Sequence, residues 1–287
     1  MSASEITRVV FDLDTFIYRC GFAAQHKWYV LVNRDDQTFL RYDSMKALKA
    51  GNPDADKALI FSTIDVEPVE NALHSFKIAV QSVLDKFNTE TYCGFLSDGN
   101  GFRDQIATTL PYKGNRDPLA KPVHYKKLRE YATETWSAQT VSDMEADDAV
   151  GIAARDPGDD ASLICTNDKD LDGIPGWHYN WTKPDSEAYY ITPKEAKFNF
   201  YVQCLTGDST DNIPGLKGVG PVTAKKLLEG VSGPLEAEER ILKAYITEYG
   251  DDHGPERFLE TARLVYILRK PEERDDPLWQ PISASAG

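Results

Sequence analysis

Short apolar runs alternate along this chain with longer stretches whose apolar residues recur every three or four positions. Arg8–Phe11, Thr91–Leu96 and Ser162–Thr166 are near-continuous apolar runs bounded by polar turns, the pattern of strands buried on both faces of a parallel sheet. Between the first two, Phe16–Ala24 is compatible with a helix. Pro68–Phe87 carries Val69, Leu73, Phe76, Val80, Val83, Leu84 and Phe87 at helical spacing, which marks one buried face. Residues 28–42 predict two strands around a polar turn at 33–37, whereas 46–64 has too weak a pattern to assign.

Farther on, Ser142-Asp-Met-Glu145 has the form of a capping box and predicts a helix through Ala154. Trp177–Trp181 and Ala188–Ile191 predict a hairpin. Thr192-Pro193-Lys-Glu195 is a second capping box, opening a helix to Leu205. Two amphipathic helices, about Leu235–Tyr249 and Glu256–Arg269, precede a Pro- and Ser-containing tail expected to be mobile. Strands alternating with helices define an α/β protein with a central, mostly parallel sheet.

At 287 residues the chain is long enough for a full core, and 41% hydrophobic with 27% charged residues is ordinary for a globular protein. No apolar run approaches eighteen residues and no signal peptide is visible, so no membrane partner and a cytoplasmic location are expected. Cys20, Cys93, Cys165 and Cys204 lack metal-ligand spacing and read as buried thiols. The net charge of −14 argues against a polyanionic ligand until its distribution is considered. Seven Lys/Arg face three acids between Arg103 and Glu130, and three lysines face none between Asn212 and Leu228.

The acids gather where chemistry is done in open α/β sheets. The first strand ends on Asp12, the second on Asp98, and the third leads into Asp168 and Asp170. The predicted acidic helix adds Glu145, Asp147 and Asp148. Glu145 and Asp148 share a face at i,i+3 while Asp147 points away, so the three are not equivalent. Asp14 is expected to be a solvated loop acid, the alternative being a ligand itself or a partner that assists Asp12. Asp208 and Asp211 complete a set of nine carboxylates with no His or Cys among them. All-oxygen donors select hard cations such as Mg²⁺ or Mn²⁺ over zinc.

Asp208 and Asp211 also open the stretch LTGDSTDNIPGLKGVGPVTAKKLL. Gly215, Gly218 and Gly220 are spaced for a tight hairpin, Pro221 suits a first helical turn, and Lys217, Lys225 and Lys226 surround it. This is a helix-hairpin-helix pattern, able to hold a nucleic-acid backbone through main-chain amides and lysines. Pro111-Tyr-Lys-Gly-Asn-Arg116 sets Tyr112 beside Lys113 and Arg116, suited to a phosphodiester and a base. Pro118 and Pro122 interrupt the basic segment that follows, which predicts loose helical order there.

These motifs resemble the signature of the 5′ nuclease superfamily, which includes flap endonucleases, the 5′ nuclease domains of bacterial DNA polymerases and the stand-alone phage 5′–3′ exonucleases. The stand-alone phage enzymes are the nearest in appearance. The resemblance covers about Val9–Gly230. It rests on Asp12 with Tyr18-Arg19, on Phe102-Arg103 with Tyr112-Lys113 and Arg116, on Glu145-Ala-Asp147-Asp148, on Asp168-Lys-Asp170 and on the Asp208–Leu228 run.

The resemblance implies a PIN-like 5′-nuclease core over 1–190, with an inserted hairpin (28–64) and a helical arch (103–140). A helix-hairpin-helix region and C-terminal helices fill 191–287. It further implies that the nine carboxylates bind two Mg²⁺, with Mn²⁺ able to substitute, and that Tyr112, Lys113 and Arg116 act at the scissile phosphate. Arg103 and the hairpin residues would bind duplex DNA with a 5′ end or flap, or an RNA–DNA hybrid, with K⁺ at the hairpin. A monomer is expected, in the host cytoplasm if phage-encoded. Two other readings compete. Phe11-Asp-Leu-Asp14 is similar to the nucleophile loop of HAD-type phosphatases, and a non-catalytic DNA-binding relative would retain the hairpin.

Overall fold

The computed structural model describes residues 6–33, 38–117, 120–155, 161–274 and 278–282. The predicted turn at 34–37, Pro118 and the end of the tail at 283–287 lie outside the described residues. In chain order the first elements are β1 (Arg8–Asp12), α1 (Leu13–Ala23), β2 (Gln25–Val32), β3 (Phe39–Tyr42), α2 (Met45–Gly51), β4 (Ile60–Val66) and α3 (Val69–Lys86). Then come β5 (Tyr92–Ser97), α4 (Arg103–Ile106), α5 (Tyr125–Trp136), β6 (Gln139–Val141), α6 (Ala146–Ala153), β7 (Ser162–Cys165), β8 (Gly176–Tyr179) and β9 (Tyr189–Ile191). The last are α7 (Pro193–Thr206), β10 (Gly207–Asp208), β11 (Ile213–Pro214), α8 (Pro221–Leu227) and α9 (Pro234–Val265).

Packing divides the chain into two compact units, one of residues 1–15, 81–120 and 132–287, the other of 16–80 and 121–131. In the larger unit a six-stranded sheet runs β6-β5-β1-β7-β8-β9, parallel throughout except for β9 against β8. Val9, Val10 and Phe11 of β1 and all of β7 are buried, as apolar runs between two covered faces require. Val150, Ala146 and Ala149 of α6 pack against Val10, Phe95 and Ile164.

A second cluster in the same unit joins α7, α8 and α9 through Phe200, Cys204, Leu205, Ala224, Leu228, Ile241 and Phe258. The two C-terminal helices of the sequence reading are both present. Their junction is Gly250, whose φ of 84° cannot continue a helix. The second helix ends at Val265, short of the expected Arg269, because Tyr266 turns extended. Thr192 caps α7 as predicted, its Oγ accepting the Glu195 N–H at 3.2 Å while Glu195 accepts the Thr192 N–H at 2.9 Å. The capping box expected at Ser142 is displaced. Asp143 takes a φ of +61°, so no helix can start there, and α6 begins after Glu145, whose N–H is accepted by Asp148 at 3.1 Å.

In the smaller unit β2 pairs antiparallel with both β3 and β4. The predicted hairpin thus gains a third strand from the stretch left unassigned. Tyr42 accepts a hydrogen bond from Asn52 just after α2. Phe16 and Phe76 meet edge to face, and Phe76 meets Tyr131 likewise. The segment before α5 is fastened by Val123 N–H to Gln25 at 2.8 Å. The loosely helical order expected after Pro122 is corrected, since Tyr125–Trp136 is a regular helix. Leu128 provides its buried face, and Lys127 pairs with Glu130 one turn on. Among the described residues before α5, Tyr112–Asn115 and Val123–His124 are turns and Arg116 and Lys121 are bends.

Candidate active site

Parallel pairing brings the ends of β1, β5 and β7 to one edge of the sheet, and the acids follow from that register. Asp12 closes β1 and is only 5% exposed. Beyond β7, Thr166 donates its hydroxyl to Asp12 Oδ2 at 2.8 Å and accepts the Asp168 N–H at 3.0 Å. Asp168 Oδ1 accepts the Asp170 N–H at 3.0 Å, and Gln203 of α7 donates to Asp170 Oδ1 at 2.6 Å. Asp208, at the end of β10, accepts the Thr210 N–H at 2.7 Å.

These carboxyls are short of positive charge. Burial, then Asp14 and Asp168, push Asp12 up to about 7 against the opposing Thr166 hydrogen bond. Burial, then Asp168 and Asp208, push Asp170 up to about 8. Asp168 is raised by burial, with Asp211 and Asp208 adding to it and the Asp170 N–H offsetting part. Asp147 is raised by burial and by Asp148 and Glu145.

Beside this edge lies a region where the protein supplies its own cations. Lys113 pairs with Glu145 and lies 3.6 Å from Asp211, and Arg116 pairs with Asp211. The Tyr112 hydroxyl meets both Glu145 and, at 2.9 Å, Asp211. Lys113 holds a φ of +53°, and its N–H bonds the Asp211 carbonyl at 2.8 Å. Burial alone would lower the Lys113 ammonium, but Glu145 and Asp211 raise it. Burial likewise would raise Glu145, yet Arg103 and Lys113 hold it below the usual carboxylate range. Burial keeps Tyr112 a phenol, its pKa raised despite Arg103.

Several expected roles change on this geometry. Arg103, expected on the duplex, is 2% exposed. It grips Asp148 at 2.6 and 2.8 Å and donates to the Leu264 and Tyr266 carbonyls at 2.9 and 2.7 Å, which helps end α9. Asp148 is fully buried, and its Oδ1 also accepts the Leu268 N–H at 3.0 Å, so both oxygens are committed to structure rather than to a metal. Asp98 is an exposed turn acid accepting the Asn100 N–H at 2.8 Å. Asp14 is not a solvated loop acid, because it sits in the first turn of α1 and accepts the Ser97 N–H at 2.9 Å. Tyr112 uses its hydroxyl rather than offering a free face to a base.

At the hairpin the backbone is open and the lysines face solvent. Gly218 has a φ of +74° with open space around it, Gly220 precedes Pro221 at the start of α8, and Lys217, Lys225 and Lys226 are exposed. Gly215 serves differently, crossing Gly207 so closely that a Cβ on either would lie 2.2–2.4 Å from backbone atoms. Sequence reasoning missed Thr166, Ser97 and Gln203. A signal for Thr166 was available, as a hydroxyl residue two before an acid at a strand end commonly bonds that acid's N–H. Gln203, 33 residues from Asp170, had none.

Among the described residues, no three Asp, Glu, His or Cys side chains converge closely enough to ligate one ion as they stand. The fit to a hard divalent cation is one of chemistry. The donors are all oxygen, and Asp12, Asp147, Asp168 and Asp170 are raised by burial and by one another with no side-chain cation to offset them fully.

The site is thus a row of oxygen-only acids along the carboxyl edge of a mostly parallel α/β sheet, followed by a glycine-rich hairpin. No protein-family model matches the chain. It is 28% identical to DNA polymerase I of Bacillus subtilis over 210 residues, 63% of this chain and 23% of the polymerase. It is 28% identical over 226 residues to the 5′-3′ exonuclease of Buchnera aphidicola, 71% of this chain and 77% of that protein. The bacteriophage T5 flap endonuclease, solved as a pseudo-enzyme–product complex with DNA and metal ions, has a TM-score of 0.61 at 17% identity, covering 93% of this chain and 90% of that one. That structural likeness shows the fold. The chain spans less than a quarter of the length of the DNA polymerases I that it matches. The chain is thus similar in sequence to a 5′-3′ exonuclease and to DNA polymerase I, and similar in fold to a flap endonuclease.

Proposed function

We propose that the chain is a metal-dependent 5′–3′ exonuclease with flap endonuclease activity, hydrolysing phosphodiesters of duplex DNA from or near a 5′ end. The observation that carries this is the line of acids along the sheet edge, Asp12, Asp168 and Asp170, held by neutral hydrogen-bond donors and left short of counter-charge. Asp12, Asp147, Asp168, Asp170 and Asp208 would hold two Mg²⁺ or Mn²⁺, with Glu145 and Asp211 joining once their cations leave. Bound divalent ions supply an activated water and positive charge at the phosphate.

The protein's own groups do the rest. Lys113 and Arg116, paired with Glu145 and Asp211, would transfer to the phosphate oxygens as charge develops there. Tyr112 stays protonated and orients both carboxylates. Lys217, Lys225 and Lys226 would hold the duplex, with K⁺ among the hairpin carbonyls. A single chain acting on a 5′ end or flap is the proposed working form, with RNA–DNA hybrid as a second substrate in replication or primer removal. No helix among the described residues is long and apolar enough to cross a membrane.

A phosphoaspartate mechanism fits poorly. Asp12 is 5% exposed with one oxygen on Thr166, and Asp14 is tied to Ser97. The test is a gel of 5′-flap, nicked and blunt duplexes labelled at either end, with Mg²⁺ or with chelator. Short 5′-terminal products appearing only with Mg²⁺ support the proposal. Cleavage in excess chelator, or release of inorganic phosphate alone, refutes it.

A further inference from the structure

The geometry points to Thr166 as a positioning residue that sets the spacing and the open lone pairs of the acids on two different strands; this rests on the metal-dependent reading above. A hydroxyl has one proton and two lone pairs. At Thr166 the proton is spent on Asp12 Oδ2 at 2.8 Å, and a lone pair takes the Asp168 N–H at 3.0 Å. Because Thr166 is 5% exposed and Asp12 equally so, water competes poorly for either bond.

Two consequences follow for the acids. Asp12 Oδ2 accepts the Thr166 hydroxyl and the carboxylate also takes a main-chain hydrogen bond from Thr15, so two neutral donors fix its orientation and thereby the direction of its remaining lone pairs. Asp168 has its backbone fixed by the same hydroxyl, and its own Oδ1 accepts the Asp170 N–H at 3.0 Å. Asp170 is steadied in turn by Gln203 at 2.6 Å. A single line of hydrogen bonds therefore runs from the end of β1, through Thr166, to the turn after β7 and on to α7. Thr166 is the link in that line between the two strands' acids. Main-chain pairing places Phe11 opposite Cys165 and goes no further, so beyond that pair the side chain continues the registration. Partners behind metal ligands typically change metal affinity or activity by about 10–100-fold when removed.

The experiment compares Thr166→Val, which keeps shape and deletes the hydroxyl, with Thr166→Ser, which restores it. Mn²⁺ affinity is measured calorimetrically on the full chain without DNA. Cleavage is followed across a Mg²⁺ titration, and duplex affinity is measured in Ca²⁺. Thr166→Val is expected to weaken Mn²⁺ binding about 10-fold or more and to raise the Mg²⁺ concentration for half-maximal cleavage similarly. Saturating Mg²⁺ should recover most of the rate, and duplex affinity should stay unchanged. Thr166→Ser should restore both metal readouts to within about 3-fold, well inside that range.

Unchanged Mn²⁺ affinity in Thr166→Val overturns the assignment. So does a Thr166→Ser chain as poor as Thr166→Val, because the methyl and its packing would then be what matters. If Thr166→Val does not fold, Thr166→Ser combined with Asp12→Asn decides. Since the bond joins the two residues, the serine change must matter no more in the Asp12→Asn background than alone, and a larger separate loss overturns the link. An inactive wild type whose Mn²⁺ affinity still falls in Thr166→Val would refute the nuclease reading and leave the positioning role standing.

Discussion

Two groups of acids, carried by one compact unit, differ in how their charge is met. Glu145, Asp148 and Asp211 are answered by the chain itself, through Arg103, Lys113, Arg116 and the Tyr112 hydroxyl. Asp12, Asp168 and Asp170 are met by neutral donors, Thr166, main-chain amides and Gln203. A neutral hydrogen bond orients a carboxylate without cancelling it, so the second group keeps an appetite for cations that the first satisfies from within the chain while Lys113 and Arg116 stay on it. An acid cluster in a sequence is thus not one kind of site. Acids whose counter-charge is built in hold the fold together, and acids whose counter-charge is missing wait for a ligand.

The strongest way to break this contrast is to remove a ligand from the unanswered group. Asp168→Asn is expected to lower single-turnover cleavage by about 10³-fold or more, while duplex binding stays measurable. Near-normal cutting by that variant would place the metal elsewhere.

On the answered side, Arg103→Met leaves Asp148 buried without its partner and should destabilise the fold by about 3–5 kcal/mol in denaturant melts. A loss below about 1 kcal/mol would mean that Asp148 is protonated or hydrated in the native chain. It would then rejoin the candidate ligands.

Lys113→Ala tests the border between the groups. It should reduce the single-turnover rate by roughly 10²-fold with duplex affinity little altered, as for a cation that matters most in the transition state. An effect on affinity alone would make Lys113 a tether.

The unanswered acids also predict a pH effect. A carboxyl with its folded pKa above its unfolded value binds its proton more tightly in the folded chain. Its stabilising contribution is therefore complete below the ordinary 3.8 and is lost as pH rises through about 7 for Asp12 and about 8 for Asp170. In chelator, stability attributable to these groups should fall between those limits. Asp12→Asn should flatten the slope, and Mg²⁺ should stabilise more at pH 8 than at pH 5. A slope unchanged by Asp12→Asn would show that burial there does not raise its pKa. The smallest effect is expected at the hairpin, where each of Lys225→Ala and Lys226→Ala should weaken duplex binding a few-fold and reduce the salt slope by about one.

How much of this was legible in the sequence follows from what each feature depends on. The three parallel strands announced themselves as apolar runs ending in acids, and Thr192 and Pro193 marked the start of α7. Local chemistry of that kind is written in neighbouring residues. The sorting of the acids was not legible, because it depends on partners far along the chain. Arg103 reads as one more cation in a basic segment, and only the fold brings it to Asp148, 45 residues away, and to the last carbonyls of α9. The third strand of the small sheet was hidden for a similar reason. Ile60–Val66 has most residues exposed, so it shows no clean alternation until β2 supplies a partner.

The crossing of Gly207 over Gly215 has one more consequence. Paired across Gly207–Pro214 and Asp208–Ile213, the chain closes a small ring carrying both Asp208 and Asp211, and it leaves that ring directly into the hairpin and α8. Neither glycine can accept a side chain without displacing main chain, so the ring resists widening, and an inserted residue would have to bulge outward. The place where a duplex would be held and the place where it would be cut are then separated by a ruler of fixed length. Wear elsewhere in the chain can change how hard such a molecule grips or how fast it works. Where along a strand it cuts would be the property slowest to drift.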